Sequence, residues 1–154
     1  MHETLVLANA IGVIEHHDAA GVLLSREVTH NVKTNAGIDF NHTQSYGTSP
    51  AANGLNYIAL SNDALTENAA STVLSNEIAA NGLSRAIGAV AHTPGQTTTT
   101  VQKVFTCATA PQAAQKAALF TASSGGTMHH VLAFTQRSLQ IGDTLTVTFT
   151  LTIS

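Results

Sequence analysis

Hydrophobic and polar positions alternate most cleanly in the last stretch of the chain, Asp143–Ser154. There Leu145, Val147, Phe149, Leu151 and Ile153 are interleaved with Thr144, Thr146, Thr148, Thr150 and Thr152. A period of two predicts a strand with one buried and one wetted face. At 100° per residue a helix would scatter the same five apolar side chains around its circumference. Thr, Val and Ile branch at Cβ and suit a pleated surface. Burying five such side chains stabilises by roughly 8–15 kcal/mol gross, at about 1.5–3 kcal/mol each. Such a strand needs a facing layer, and the rest of the chain must supply it.

The same reading runs along the earlier residues. In 1–28 the apolar pieces are short and broken by Gly12 and Gly21, which predicts an extended N-terminal arm over 1–27, with His16-His17-Asp18 as an exposed turn. Glu27–Lys33 reads as a strand and Asn35-Ala36-Gly37 as a turn. His42–Asn56, rich in Ser, Thr, Gly and Asn, is a long loop of the kind that usually makes contacts. Tyr57–Leu60 is a short core strand. Ser71 or Thr72 followed by Val73, Leu74, Glu77 and Ile78, with Gly82 beyond, predicts one short helix over 71–81. Leu83–Ala91 and Val101–Cys107 read as strands around a turn at Thr93–Gln96, and Pro111–Gln115 as a connection. Lys116–Ala122 and Met128–Phe134 flank Ser123–Thr127 as a β-hairpin. Seven or eight short strands predict an all-β fold, an antiparallel two-sheet sandwich resembling a jelly roll, with the arm at 1–27 and the sandwich domain at 28–154.

Composition changes the picture in one respect. Charged residues are only 10% of the 154, against a usual quarter. Threonine, alanine and amides carry the surface, which suits a chain covered by neighbours. A net charge of −3 without a basic cluster gives no reason to expect nucleic acid. No apolar run approaches the ~20 residues of a membrane span. Leu5–Ile14 lacks the basic flank of a signal peptide. Cys107 is alone, so it forms no intrachain disulfide and reads as a small buried hydrophobe.

Candidate chemistry is sparse. Among eight histidines, His16-His17 and His129-His130 are adjacent pairs, and strand neighbours point to opposite faces, so neither pair chelates one ion. H-x-H, H-x-x-x-H, C-x-x-C, G-x-S-x-G and phosphate-loop patterns are missing. The carboxylates lie mostly in expected loops, and nothing selects Asp39 and Asp63 as a glycosidase pair. Arg85 and Arg137 read as paired or interfacial. Asn41-His42-Thr43 fits a glycosylation sequon only in a secreted protein. The expectation is no enzyme, no catalytic or cofactor-binding residue, no metal and no cofactor.

Five ordered segments carry a resemblance: V-T-H-N-V-K-T-N-A-G-I-D-F (28–40), N-Y-I-A-L-S-N-D-A (56–64), N-G-L-S-R-A-I-G (81–88), K-A-A-L-F-T-A-S-S-G-G-T-M (116–128) and G-D-T-L-T-V-T-F-T (142–150). Together they resemble small tailed-bacteriophage virion proteins, variously labelled tail, tail-fibre or head-decoration proteins. Ala118 stands where that pattern often has Gly, and Phe149 where Trp is common. Residues 1–27 lie outside the resemblance.

The resemblance implies a non-enzymatic virion structural protein. The first expectation is a capsid decoration (cement) protein on the outer capsid surface. It would be a homo-oligomer, a trimer by preference, binding the major capsid protein or other virion proteins between capsomers. The alternatives are a tail, baseplate or fibre component, and a carbohydrate-binding module. The last needs exposed aromatics, yet Phe105, Phe120, Phe134 and Phe149 fall at core positions, leaving Tyr46. No nucleic acid or membrane partner is expected.

Overall fold

The computed structural model describes residues 10–38 and 54–152. The fold is all-β: β1 (Ala10–His17), β2 (Leu23–Lys33), β3 (Tyr57–Ser61), β4 (Ala86–Ile87), β5 (Ala89–His92), β6 (Thr98–Thr106), β7 (Gln112–Phe120), β8 (Met128–Leu139) and β9 (Thr144–Thr152). They form one hydrogen-bonded series, β4-β3-β7-β8-β2-β1-β9-β6-β5, in which every described pairing is antiparallel. Where two sheets were expected, one sheet curls on itself into a nearly closed barrel.

The alternation that predicted β9 is what drives the curl. Leu145, Val147 and Phe149 are fully buried, while the threonines between them are only half-covered. β9 lies between β1 and β6, paired along its whole length with β6 and from Thr144 to Leu151 with β1. Its inward side chains join Ile14, Val101 and Phe105 from those neighbours. They meet Ile58, Leu60, Leu119, Leu132 and Phe134 from the opposite wall in one cluster.

The expected N-terminal arm is, over its described part, built into the sheet. β1 sits between β2 and β9, pairing from Ile11 to His17 with one and from Ala10 to His17 with the other. Gly12 makes this possible: a Cβ there would lie 2.1 Å from Leu132 Cδ2 on the facing wall. The glycine that looked like an interruption is a point of close approach. His16 and His17, expected in a turn, end the strand, and the turn begins at Asp18, whose carboxylate accepts from the N–H groups of Ala20 and Val22.

Closure depends on two narrow junctions. β2 meets β8 through three residue pairs, Asn31 with Leu132, Val32 with Val131, and Lys33 with His130. Further back, side chains span the gap: Glu27 accepts from the Thr135 N–H at 3.0 Å and from Arg137 Nη2 at 2.7 Å. On the far side, residues 86–92 touch both ends of the series. β4 pairs with β3 and β5 with β6. Gly88 between them donates its N–H to Asn56 O at 2.7 Å. An added Cβ there would sit 2.9 Å from Val101 Cγ1. The strand expected over Leu83–Ala91 is thus two short pieces joined at a glycine.

The helix expected over 71–81 does not form. Val73 is exposed, Leu74 packs on the outside of the sheet and Ile78 enters the inner core, so the three apolar residues serve three surroundings instead of one helical face. A bridge pairs Glu77 with Ser61, and Asn76 and Asn81 take positive φ, which breaks any helical run. The described helical residues are instead one turn at 35–38, where a turn was expected. Pro111–Gln115, expected as a connection, is largely the start of β7. The hairpin of β7 and β8 forms as expected. The expected loop His42–Asn56 lies mostly outside the described residues.

Gly12→Ala should lower the unfolding free energy by about 1–3 kcal/mol, as overpacking does. Urea denaturation checks this, and an unchanged midpoint would show that β1 is not pressed against Leu132.

Candidate interaction surface

The two outer faces of the curled sheet are treated differently by the chain. Outside β3, β7 and β8, the segment 62–85 lies over the strands. Leu74 packs with Ala59, Ala118, Phe120, Met128 and Val131 into a second cluster, so the end of β7 is buried on both faces. Arg85 ties this cover down. Its guanidinium lies 3.6 Å above the Phe120 ring and bonds Glu77 through two nitrogens. It also donates to the carbonyls of Ala122 and Gly125 in the β7–β8 turn. Both Arg85 and Arg137 are paired, with Glu77 and Glu27 respectively.

Outside β1 and β2 the only described segment alongside the strands is the edge of 62–85, where Leu65 and Glu67 come beside Val32. The register sets Val13 beside Val28, Ile11 beside His30 and Glu15 beside Arg26 on the outward side. Ile11 (38% exposed), Val28 (53%) and Val32 (39%) form a largely apolar strip with His30 set among them. The strip carries one ion pair, Arg26–Glu15 at 3.2 Å. Threonines of β9 flank it, since Val13 pairs with Thr148 and Ile11 with Thr150. At the hairpin tip Val22, Leu23 and Leu24 are all about half exposed, and Ile141 is exposed in the 140–143 turn, whose Gly142 abuts Ala19. Isolated exposed aliphatics are ordinary; a set brought together by strand register is the candidate contact surface among the described residues.

The titratable residues weighed from the sequence are dispersed. His16 points inward and its Nε2 lies 2.9 Å from Asp143 Oδ2, both residues being buried. The N–H of Gln140 and then His16 hold the Asp143 carboxyl below the usual carboxylate range. Asp63, expected in solvent, is buried, and with the half-buried Glu67 it surrounds Lys116, whose Nζ lies 3.2 and 2.9 Å from the two carboxylates. The N–H of Leu65, followed by Lys116, lowers the Asp63 pKa. Cys107 is fully buried and donates to Ala110 O; burial pushes its thiol up. Phe105, Phe120, Phe134 and Phe149 all lie in the core clusters. Among the described residues, no group of three or more His, Cys, Asp or Glu could hold a metal ion. Asp39, Tyr46 and the Asn41–Thr43 sequon lie outside the described residues.

His129 and His130 correct a simpler expectation. A bulge between Leu119 and Phe120 inserts one extra residue in β8, so the rings do not diverge as strand neighbours should; their centroids are 4.3 Å apart. Asn31 Oδ1 accepts from the Ala10 N–H, so its amide nitrogen faces His130 Nδ1. Nδ1 is then the acceptor and the proton sits on Nε2, which is buried without a partner among the described residues. Burial, and then Lys33, lower the His129 pKa to about 4. Burial, with His129 and Lys33 behind it, lowers that of His130 to about 3.

Comparison with protein-family models, with curated proteins and with solved structures finds no match.

Because the folded state holds both rings neutral, their contribution to stability is complete above about pH 6.5 and is lost as pH falls toward 4 and 3. Each ring should cost roughly 1 kcal/mol per pH unit across that window. Urea midpoints at pH 7.5 and 5.0 should therefore differ, and His130→Gln should shrink the difference. The carboxylates Asp63 and Asp143 lose their contribution only below about pH 4, so they do not confuse the comparison. Equal midpoints at the two pH values would contradict the burial of neutral imidazoles.

Proposed function

We propose that this chain is a structural component of a bacteriophage particle, a capsid decoration (cement) protein that binds the outer shell between capsomers. The observation that carries the reading is the apolar strip of Ile11, Val28 and Val32 on β1 and β2, which the described residues leave exposed, beside an outer face that the chain covers with its own segment 62–85. A lattice contact of this kind stabilises a shell by the area it removes from water at each junction. The low charge of the chain agrees with it, because little repulsion opposes close packing with neighbours. The ordered motif resemblance supplies the particle. A trimer with its strips turned toward the major capsid protein is the assembly we favour.

Deleting residues 1–27 would unfold the protein rather than test binding, since β1 and the start of β2 belong to the middle of the sheet. Charge substitutions on the strip are cleaner. Wild-type protein should co-sediment with purified heads stripped of decoration. Val28→Asp with Ile11→Thr should weaken that binding about tenfold or more by placing an unpaired carboxylate in the contact. The urea midpoint should stay close to wild type, because both side chains are exposed. Undiminished binding by the double variant, or no wild-type binding, would remove the reading.

A further inference from the structure

A cleft of about 220 Å³ opens where the bare strip runs beneath the edge of the covering segment, lined by Val32, Leu65, Glu67, Val131 and Ala133 among others. Val32 and Val131 are register partners and so share its floor. Leu65 stands over it, 68% exposed. Its position is fixed: Asp63 Oδ1 accepts the Leu65 N–H at 3.1 Å, while Asp63 Oδ2 is held by Lys116. With its backbone anchored beside a buried ion pair, this exposed leucine is held at the cleft, and little main-chain ordering is left to lose on binding.

The electrostatics of this place are unbalanced. Lys116 brings one positive charge to two carboxylates, Asp63 and Glu67, so the group carries one net negative charge. Glu67 is the member that lines the cleft, and its side chain retains some exposure. His30 lies on the same rim. We infer that the cleft receives an aliphatic side chain of a partner polypeptide, with an adjacent Lys or Arg of the same segment set against Glu67. The aliphatic group removes Val32 and Leu65 from water, and the cation supplies the charge that Lys116 alone does not. Partly buried, that second ion pair is less screened than one on open surface. The inference concerns a polypeptide segment whatever assembly supplies it, and so stands or falls apart from the virion reading.

The test uses the purified full chain, isotope-labelled, titrated with N-acetyl-leucyl-lysine amide and followed by amide chemical shifts. The glutamine and glutamate analogues of the peptide serve as controls. The lysine peptide should shift Leu65, Glu67, Val131 and Ala133 and bind about fivefold more tightly than the glutamine peptide, with the glutamate peptide weakest. Glu67→Gln should abolish that ranking while leaving Lys116 paired with Asp63, and Leu65→Ser should weaken all three peptides. Unchanged amide spectra away from the cleft confirm that each variant is folded. Equal binding of the three peptides, no binding, or shifts centred elsewhere would overturn the inference. Concentration-dependent shifts of the same amides without peptide would assign the cleft to a second copy of this chain and overturn it equally.

Discussion

One apolar face has to be closed on itself, and the architecture follows from that requirement. Leu145, Val147 and Phe149 are bare of cover unless the sheet bends far enough to bring Ile58, Leu119 and Leu132 against them. A flat nine-stranded sheet would leave that face in water. Closure by curling buries both walls at once and removes most exposed strand edges. The cost is geometric: a strand must approach neighbouring side chains where it has no room for one of its own. Gly12 opposite Leu132 and Gly88 beside Val101 stand at those points.

Curling also creates an outside, and the chain spends its longest described connection on only half of it. Segment 62–85 lies over β3, β7 and β8, and it is held there by charged groups that the interior could not otherwise tolerate. Lys116 is buried because Asp63 and Glu67 descend from that segment to meet it, and Arg85 is held flat on Phe120 by Glu77. A buried ion pair adds little net stability, since desolvation consumes most of the attraction; its use lies in fixing which surfaces meet. Removal of one partner would leave the other stranded. The other outer face has aliphatic side chains and almost no such pairs, which is why a partner is sought there.

How much of this is legible in the sequence depends on whether the signal is local. The alternation in β9 and the turn-flanked hairpin of β7 and β8 are local patterns, and both appear where the pattern puts them. The segment 71–81 has helical spacing, but Leu74 and Ile78 serve different clusters on opposite sides of the sheet, a fact set by tertiary contacts. β1 looks broken by Gly12 because the reason for that glycine, Leu132, is far along the chain. The His129–His130 contact depends on a bulge, and a bulge is a property of two strands in register. For the interaction surface, Val28 and Val32 are readable as strand residues. Which face they occupy follows only from the pairing of Val28 with Val13 and of Val32 with Val131. The burial of His16 with Asp143 has a weak local hint, an aspartate closing the turn before β9, but its partner is invisible without the fold.

The place of β9 between β1 and β6 has a kinetic side. During synthesis the two flanking strands are complete long before residues 144–152 leave the ribosome. Until then β1 and β6 present long unsatisfied edges and the apolar wall stays open to water. A nascent chain in that condition is slow to close, because its decisive pairings join distant residues, and it is prone to pair with other unfinished chains. Yield from the cell should thus be governed by how quickly the last strand is delivered and docked, more than by the stability of the finished barrel.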